Sequence, residues 1–280
     1  MSDYQKYIDL LSKTYDEAVD FLLQKYGSAK DDYFREKSYH RFMNGEIKSI
    51  TKGKHSRTNE GLYCHHIDEN KELKISNPIF VKRNKIPFKY QSKDRLVYCN
   101  LIEHAVLHVL IAKETSFEFG WPGYEAYIKP DIEEWYLDKK LPNPVWEKNC
   151  YNKSFLNSQD AFYILVNMQR KLGENYYDSL EHYYVEIKRR EEEQRKVINK
   201  IRNRKAKERI ERMQKAKALH KKSPRNSIVW HLYEIKYCDP YEFLPSENFA
   251  EFDLRMKPHL KDDLLEELML FIDNFEGKNN

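Results

Sequence analysis

Apolar residues at Tyr7, Ile8, Leu11, Tyr15, Ala18, Val19, Phe21, Leu22 and Tyr26 recur at helical spacing, and Gly27 stands where a C-cap glycine ends such a run. A second helix is predicted from about Asp31 to Met43, closed by Asn44-Gly45. Lys48 to Arg57 has no apolar period and reads as an exposed basic loop. Gly61 to Ile67 reads as a short strand, Glu69 to Arg95 as a long loop or weak hairpin, and Leu96-Val97-Tyr98-Cys99 as a second strand. Asn100 is then the N-cap of a helix to about Lys113, with Leu101, Ala105, Leu107, Val109, Leu110 and Ile111 to bury.

Further on, Pro122, Pro130, Pro142 and Pro144 with Gly123 break Trp121 to Lys148 into loops and short helices, and Ser158 to Leu172 restores a helical period that ends at Gly173. No Gly or Pro interrupts the 50 residues between Gly173 and Pro224, which allows one helix of about 40 residues, about 60 Å long. Its apolar stripe is thin, and Ile187, Val197, Ile198, Ile201, Ile210 and Met213 keep no heptad register, which argues against a coiled coil. Asn226 to Phe275 is predicted to add two helices. The segmentation is 1–56 (N-terminal helices and basic loop), 57–114 (strands and helix), 115–173 (mixed loops and helix), 174–224 (long basic helix) and 225–280 (C-terminal helical region), with no internal repeat. The fold class is mainly α with a small ββα motif.

Composition supports this: 40% hydrophobic and 34% charged residues with only 8 Gly and 10 Pro suit a polar helical protein better than a turn-rich sandwich. No apolar run approaches the ~18 residues a membrane span needs, and the N-terminus lacks a signal-peptide core, so the chain is expected to be cytoplasmic without a membrane partner. Cys64, Cys99, Cys150 and Cys238 form no Cys-x-x-Cys pair and read as reduced thiols. The net charge of +4 is unevenly distributed: Lys188 to Lys222 holds 16 Lys/Arg against 5 Glu, leaving the rest of the chain acidic. So basic a segment with so few apolar residues points to a polyanionic partner.

The chemistry concentrates in four of the ten histidines, which fall within 44 residues. His104 and His108, four apart on a helix, project from one face as paired metal ligands do, whereas the adjacent His65 and His66 on a strand point to opposite sides. This supplies three nitrogen ligands and one uncoordinated base. Cys64 and Cys99, beside the two motifs, read as buried strand thiols rather than zinc ligands.

Gly61-Leu-Tyr-Cys-His65-His66-Ile67-Asp68 followed by Leu96-Val-Tyr-Cys-Asn100-Leu-Ile-Glu103-His104-Ala-Val-Leu-His108 resembles the HNH, or ββα-metal, endonucleases, particularly phage and bacterial members with a Glu-His-x-x-x-His helix and the colicin-type nucleases. The resemblance covers about a fifth of the chain. It implies that His65, His104 and His108 bind a divalent metal (Mg²⁺, Mn²⁺, Zn²⁺ or Ni²⁺) and that His66 is the general base of phosphodiester hydrolysis. DNA is then the expected substrate ahead of RNA, in homing, restriction or phage defence, and a homodimer would suit double-strand cutting. Two departures stand out. The position nine residues before His104, where the family carries its middle Asn, is Arg95, and Asn100 is a helix cap or loop-orienting residue; Asp68-Glu69 follows His-His-Ile where many members have proline. Asp68 is either a turn residue or a hydrogen-bond partner of a ligand, and Glu103 a surface or supporting residue. Arg57, Lys82, Arg83 and Arg95 are candidate nucleic-acid contacts, with Phe80, Phe88 and Tyr90 available for stacking. A different class is a nucleic-acid-binding or scaffold protein in which the ββα motif is only structural.

Overall fold

The computed structural model describes residues 4–237 and 248–276, so Cys238 lies outside the described residues. The chain forms two compact units, Met1–Tyr183 and Tyr184–Asn280. The first carries helices α1 (Gln5–Leu11), α2 (Tyr15–Tyr26), α3 (Glu36–Met43), α4 (Pro78–Asn84), α5 (Leu101–Glu114), α6 (Trp121–Gly123), α7 (Lys129–Ile132), α8 (Val145–Lys153) and α9 (Ser158–Leu172), with one sheet of strands β1 (Tyr63–His66) and β2 (Leu96–Cys99). Helix α10 (Leu180–Lys217) spans the unit boundary, and α11 (Arg225–Tyr237), α12 (Phe249–Met256) and α13 (Lys261–Glu276) follow. The protein is mainly helical, and no helix among the described residues is long and apolar enough to cross a membrane.

The two strands pair antiparallel with Cys64 opposite Tyr98, His65 opposite Val97 and His66 opposite Leu96. Helix α5 leaves β2 immediately. Asn100 Oδ1 accepts from the Glu103 amide while the Glu103 carboxylate accepts from the Asn100 amide at 2.8 Å, a reciprocal cap that sets where the helix begins. Nearly every residue of α5 from Leu101 to Ala112 is buried, so it is the central rod of this unit, with α1, α2 and α9 packed around it.

Several elements depart from the sequence reading. The first helix is two: Thr14 opens α2 with a capping box to Glu17, because its hydroxyl competes for the backbone and resets the helix start. Residues 31–35 are not helical; Asp31 spends its carboxylate on the Lys54 amide and Arg35, and α3 begins only at Glu36. The predicted loop of Glu69 to Arg95 contains α4, started by the Asn77 cap and Pro78 at the first turn. Residues 121–137 follow one helical path despite their prolines: Pro122 and Pro130 sit in first turns, and π-turns at Tyr124–Ile128 and Glu133–Leu137 join the pieces. Among the described residues the C-terminal region has three helices rather than two, since Asn248 nucleates α12 with a capping box of its own.

In the second unit, Met213 and Ala216 at the end of α10 share a core with Ile228, Leu232, Phe252 and Leu268. The preceding turns of α10, from about Glu191 to Arg204, are exposed all round. With no apolar face to bury, that stretch is flanked by ion pairs at its two ends, Arg189 with Glu193 and Arg204 with Glu208. The 38-residue length agrees with the Gly- and Pro-free run.

Candidate metal centre

Alternation along β1 sends Tyr63 and His65 toward α5 and Cys64 and His66 to the other face. Tyr63 stacks on His104, and the rings of His65, His104 and His108 gather at centroid separations of 4.8 to 5.3 Å. Among the described residues these three histidines form a group whose ligand atoms all lie within 4.8 Å of one another. His66 and Glu69 line the same cavity as His104 and His108. The sequence-predicted set is therefore brought together.

Hydrogen bonds fix which nitrogen of the His65 and His108 rings is free. The Tyr15 hydroxyl donates its one proton to the Ile67 carbonyl at 2.8 Å, so the contact at 3.0 Å between Tyr15 Oη and His65 Nε2 has the imidazole as donor. His65 Nδ1 then carries the lone pair, and that atom is buried with no hydrogen-bond partner. His108 Nδ1 lies 2.9 Å from the Gly120 carbonyl and must donate to it, leaving the Nε2 lone pair on the side of the cluster. Metal-binding histidines are held in this way, with the far N–H donated to an oxygen. Two ring nitrogens pre-set as acceptors, one of them buried and without a hydrogen-bond partner, fit a divalent ion.

Glu69 is the residue sequence reasoning missed. The short 3₁₀ turn Ile67–Asn70 folds its carboxylate back over the cluster, with Oε2 3.2 Å from His108 Nε2 and 3.8 Å from His65 Nδ1, and Oε1 3.7 Å from His66 Nδ1. Burial opposes its charge, but the imidazoles of His65 and His108 outweigh burial and hold the carboxyl well below its ordinary range. Burial brings His65 down to about 3, and burial with the neighbouring His108 keeps His104 well below the usual imidazole value. His108 runs the other way: burial lowers it, and the Glu69 carboxylate more than reverses that. A neutral His108 Nε2 and a carboxylate oxygen at 3.2 Å are both acceptors, so a proton or a cation must lie between them.

Gln91 is the second residue missed. It is wholly buried, and its amide nitrogen donates to the Ile75 carbonyl at 2.9 Å, which turns Oε1 toward His66 Nε2 at 3.2 Å. His66 therefore donates from Nε2 and keeps an unprotonated Nδ1 facing Glu69. Tyr33 lies between His66 and the buried His55, with ring centroids at 4.4 and 4.3 Å, and holds the His66 ring in place.

The two departures from the family pattern turn out to be partners. Arg95 grips Asp68 through two hydrogen bonds of 2.6 Å, and Lys71 adds a third contact to the same buried carboxylate. The pair clamps the turn carrying Glu69 to the start of β2, so Asp68 neither binds a ligand nor merely fills a turn. Asn100 is the helix cap and also donates to the Tyr7 hydroxyl. Glu103 is buried instead of lying on the surface, paired with Lys25 at 2.5 Å and Tyr26 at 3.3 Å.

Of the candidate phosphate contacts, Arg57 is held by Glu60 and the Tyr26 carbonyl and lies over the Tyr98 ring, and Arg95 is held by Asp68. Lys82 and Arg83 are exposed on the last turn of α4, with Lys82 over the Phe42 ring. Phe88 and Tyr90 pack on the cluster of Phe34, Tyr39 and Phe42, and Phe80 lies under Lys74, so these rings are engaged within the fold. Cys99 is a buried free thiol on β2 as expected, Cys64 on β1 is half-buried with its thiol pushed up to about 12 by desolvation, and Cys150 is a buried free thiol on α8.

Two predictions arise here. Arg95→Ala is expected to destabilise the first unit by roughly 2 kcal/mol, since it strips the main partner from a buried carboxylate while water already screens part of the arginine. Asp68→Ala should do the same in urea unfolding; stability unchanged in both variants would show that the pair does not clamp the turn. Gly123 leaves no room for a side chain, because a Cβ there would lie 2.6 Å from His108 Cε1 and 2.8 Å from its Nδ1. Gly123→Ala should therefore rotate the imidazole off the Gly120 carbonyl and weaken metal binding by about 10- to 100-fold in a chelator competition.

Comparison with protein-family models, with curated proteins and with solved structures found no match for this chain.

Proposed function

We propose that the protein is a divalent-metal-dependent endonuclease of the HNH, or ββα-metal, type, acting on DNA in preference to RNA. The observation that carries this reading is the division of labour between adjacent histidines. His65 joins His104 and His108 in a metal-binding group, while His66 is held in the neighbouring cavity wall with a free Nδ1. The antiparallel pair β1 and β2 followed directly by α5, with α4 inserted between the strands, supports this reading through its likeness to the family's ββα arrangement.

His66 Nδ1 accepts a proton from the attacking water, which an imidazole does readily near neutral pH. Gln91 sets this competence by keeping the other ring nitrogen a donor, and the imidazolium that results has the Glu69 carboxylate 3.7 Å away to stabilise it. A divalent ion bound by His65, His104 and His108 would supply Lewis-acid stabilisation of charge on the scissile phosphate and on the leaving oxygen. Arg57 and Arg95 serve the fold, and Lys82 and Arg83 remain the exposed cations of this unit proposed to meet the phosphate backbone. The exposed basic stretch of α10 supports a polyanionic ligand independently of the histidines.

The test is incubation of supercoiled plasmid, single-stranded DNA and RNA with the full chain across Mg²⁺, Mn²⁺, Ni²⁺ and Zn²⁺, with EDTA as control. Cleavage of plasmid that requires metal and stops with EDTA is expected. Intact substrates under every ion would overturn the reading and favour a binding protein.

A further inference from the structure

We infer that Glu69 is a fourth protein ligand of the histidine centre, giving a three-histidine, one-carboxylate set whose remaining carboxylate oxygen addresses His66. The inference rests on the metal reading of the cluster and describes the resting site; a phosphate would engage the ion by expanding its coordination or by displacing the carboxylate.

Three observations carry it. Four ligands at bonds of about 2.0–2.1 Å around a tetrahedral ion are separated by edges of about 3.3 Å. Glu69 Oε2 stands 3.2 Å from His108 Nε2 and 3.8 Å from His65 Nδ1, close to that edge at both. The atoms it faces are the ones the hydrogen-bond network leaves as acceptors: Nε2 of His108, whose Nδ1 is given to Gly120, and Nδ1 of His65, whose Nε2 is given to Tyr15. With His108 neutral these are three acceptors pointed at one another, and a cation joins all three where a single proton on His108 Nε2 would join only two. Finally, the position of Glu69 is imposed by the fold. The Asp68 to Arg95 and Lys71 contacts pin the turn one residue away, which fixes the backbone from which the Glu69 carboxylate reaches the cluster.

The set would differ in charge from three neutral imidazoles. An anionic ligand lowers the net charge of the centre by one and adds oxygen to an all-nitrogen site, which broadens the ions it retains toward Mn²⁺ and holds any of them more firmly. Of the two oxygens, Oε1 is turned toward His66, so one side chain links the metal group to the base.

The experiment uses the full chain stripped of metal and titrated with Co²⁺, followed by visible absorption, for wild type, Glu69→Gln, Glu69→Ala and His104→Ala. Wild type is expected to develop the intense bands of a four-coordinate ion. Both Glu69 variants should bind at least about tenfold more weakly and show weaker, shifted bands as solvent replaces the carboxylate. Circular dichroism identifies any variant that fails to fold, and the isosteric Glu69→Gln keeps the question open to measurement if Glu69→Ala does. Wild-type affinity and spectrum retained in a folded Glu69 variant would overturn the assignment of Glu69 alone. A wild type that takes up no Co²⁺ would overturn the metal reading together with this one.

Discussion

Substitution of His66 by Ala is expected to lower the rate of plasmid cleavage by about 10²- to 10⁴-fold, the range over which a positioned general base acts. The argument is local. His66 is 1% exposed, its Nε2 proton is committed to Gln91 and its ring is packed on Tyr33, so Nδ1 is the part of the side chain left for chemistry. Because His66 lies outside the group formed by His65, His104 and His108, metal content measured by mass spectrometry should remain at the wild-type level. Cleavage that continues at the wild-type rate would reject His66 as the base. Loss of metal together with activity would instead make His66 part of the ligand set.

The second large effect is expected of His104→Ala combined with His108→Ala. Two of the three imidazoles disappear, and high-affinity metal binding should be lost. The readout is the rise in melting temperature on adding metal. A ligand that binds only the folded state at a hundred times its Kd stabilises by about 2.7 kcal/mol, and the double variant should show none of this increment. The increment is the proper quantity, because Glu69 would be left without its contact to His108 and the metal-free protein should itself melt lower. An increment equal to that of wild type would remove these two residues from the site.

The sequence disclosed what depends on near neighbours. Strand β2 and the start of α5 were legible because an apolar run meets an Asn cap with Glu at the third helical position, and α10 because nothing in 50 residues could stop it. The pairing of His104 and His108 followed from helical spacing alone. Gln91 and the Asp68 to Arg95 clamp were not legible, since each acts on a partner brought close only by the hairpin-like return of β2 onto β1: Gln91 is 25 positions from His66, and Arg95 is 27 from Asp68. Glu69 lies three and four positions after His66 and His65, but only the 3₁₀ turn after β1 folds it back over them and onto His108. A signal existed for the last pair. An unexpected acid after His-His-Ile and an unexpected base before Leu96 are opposite charges at the two ends of one loop, and compensation is the simplest reason for both to be there. The helix α4 was hidden by Pro78, which sits in the first turn, where proline is tolerated. The split between α1 and α2 was hidden because the apolar period continues across Thr14.

The supports of the site come from far outside its motif. Tyr15 of α2 sets the tautomer of His65, Tyr7 of α1 meets the cap Asn100, Lys25 pairs with Glu103 while Tyr26 donates to it, and Gly120, beyond α5, accepts the Nδ1 hydrogen bond of His108. The stretch from residue 57 to 114 is thus not a portable cassette. Transplanted into another scaffold with its four histidines intact, it would keep its ligands and lose the groups that aim them. A graft would have to carry α1, α2 and the 115–123 turn as well, and for engineering or for descent the inheritable unit is that whole assembly.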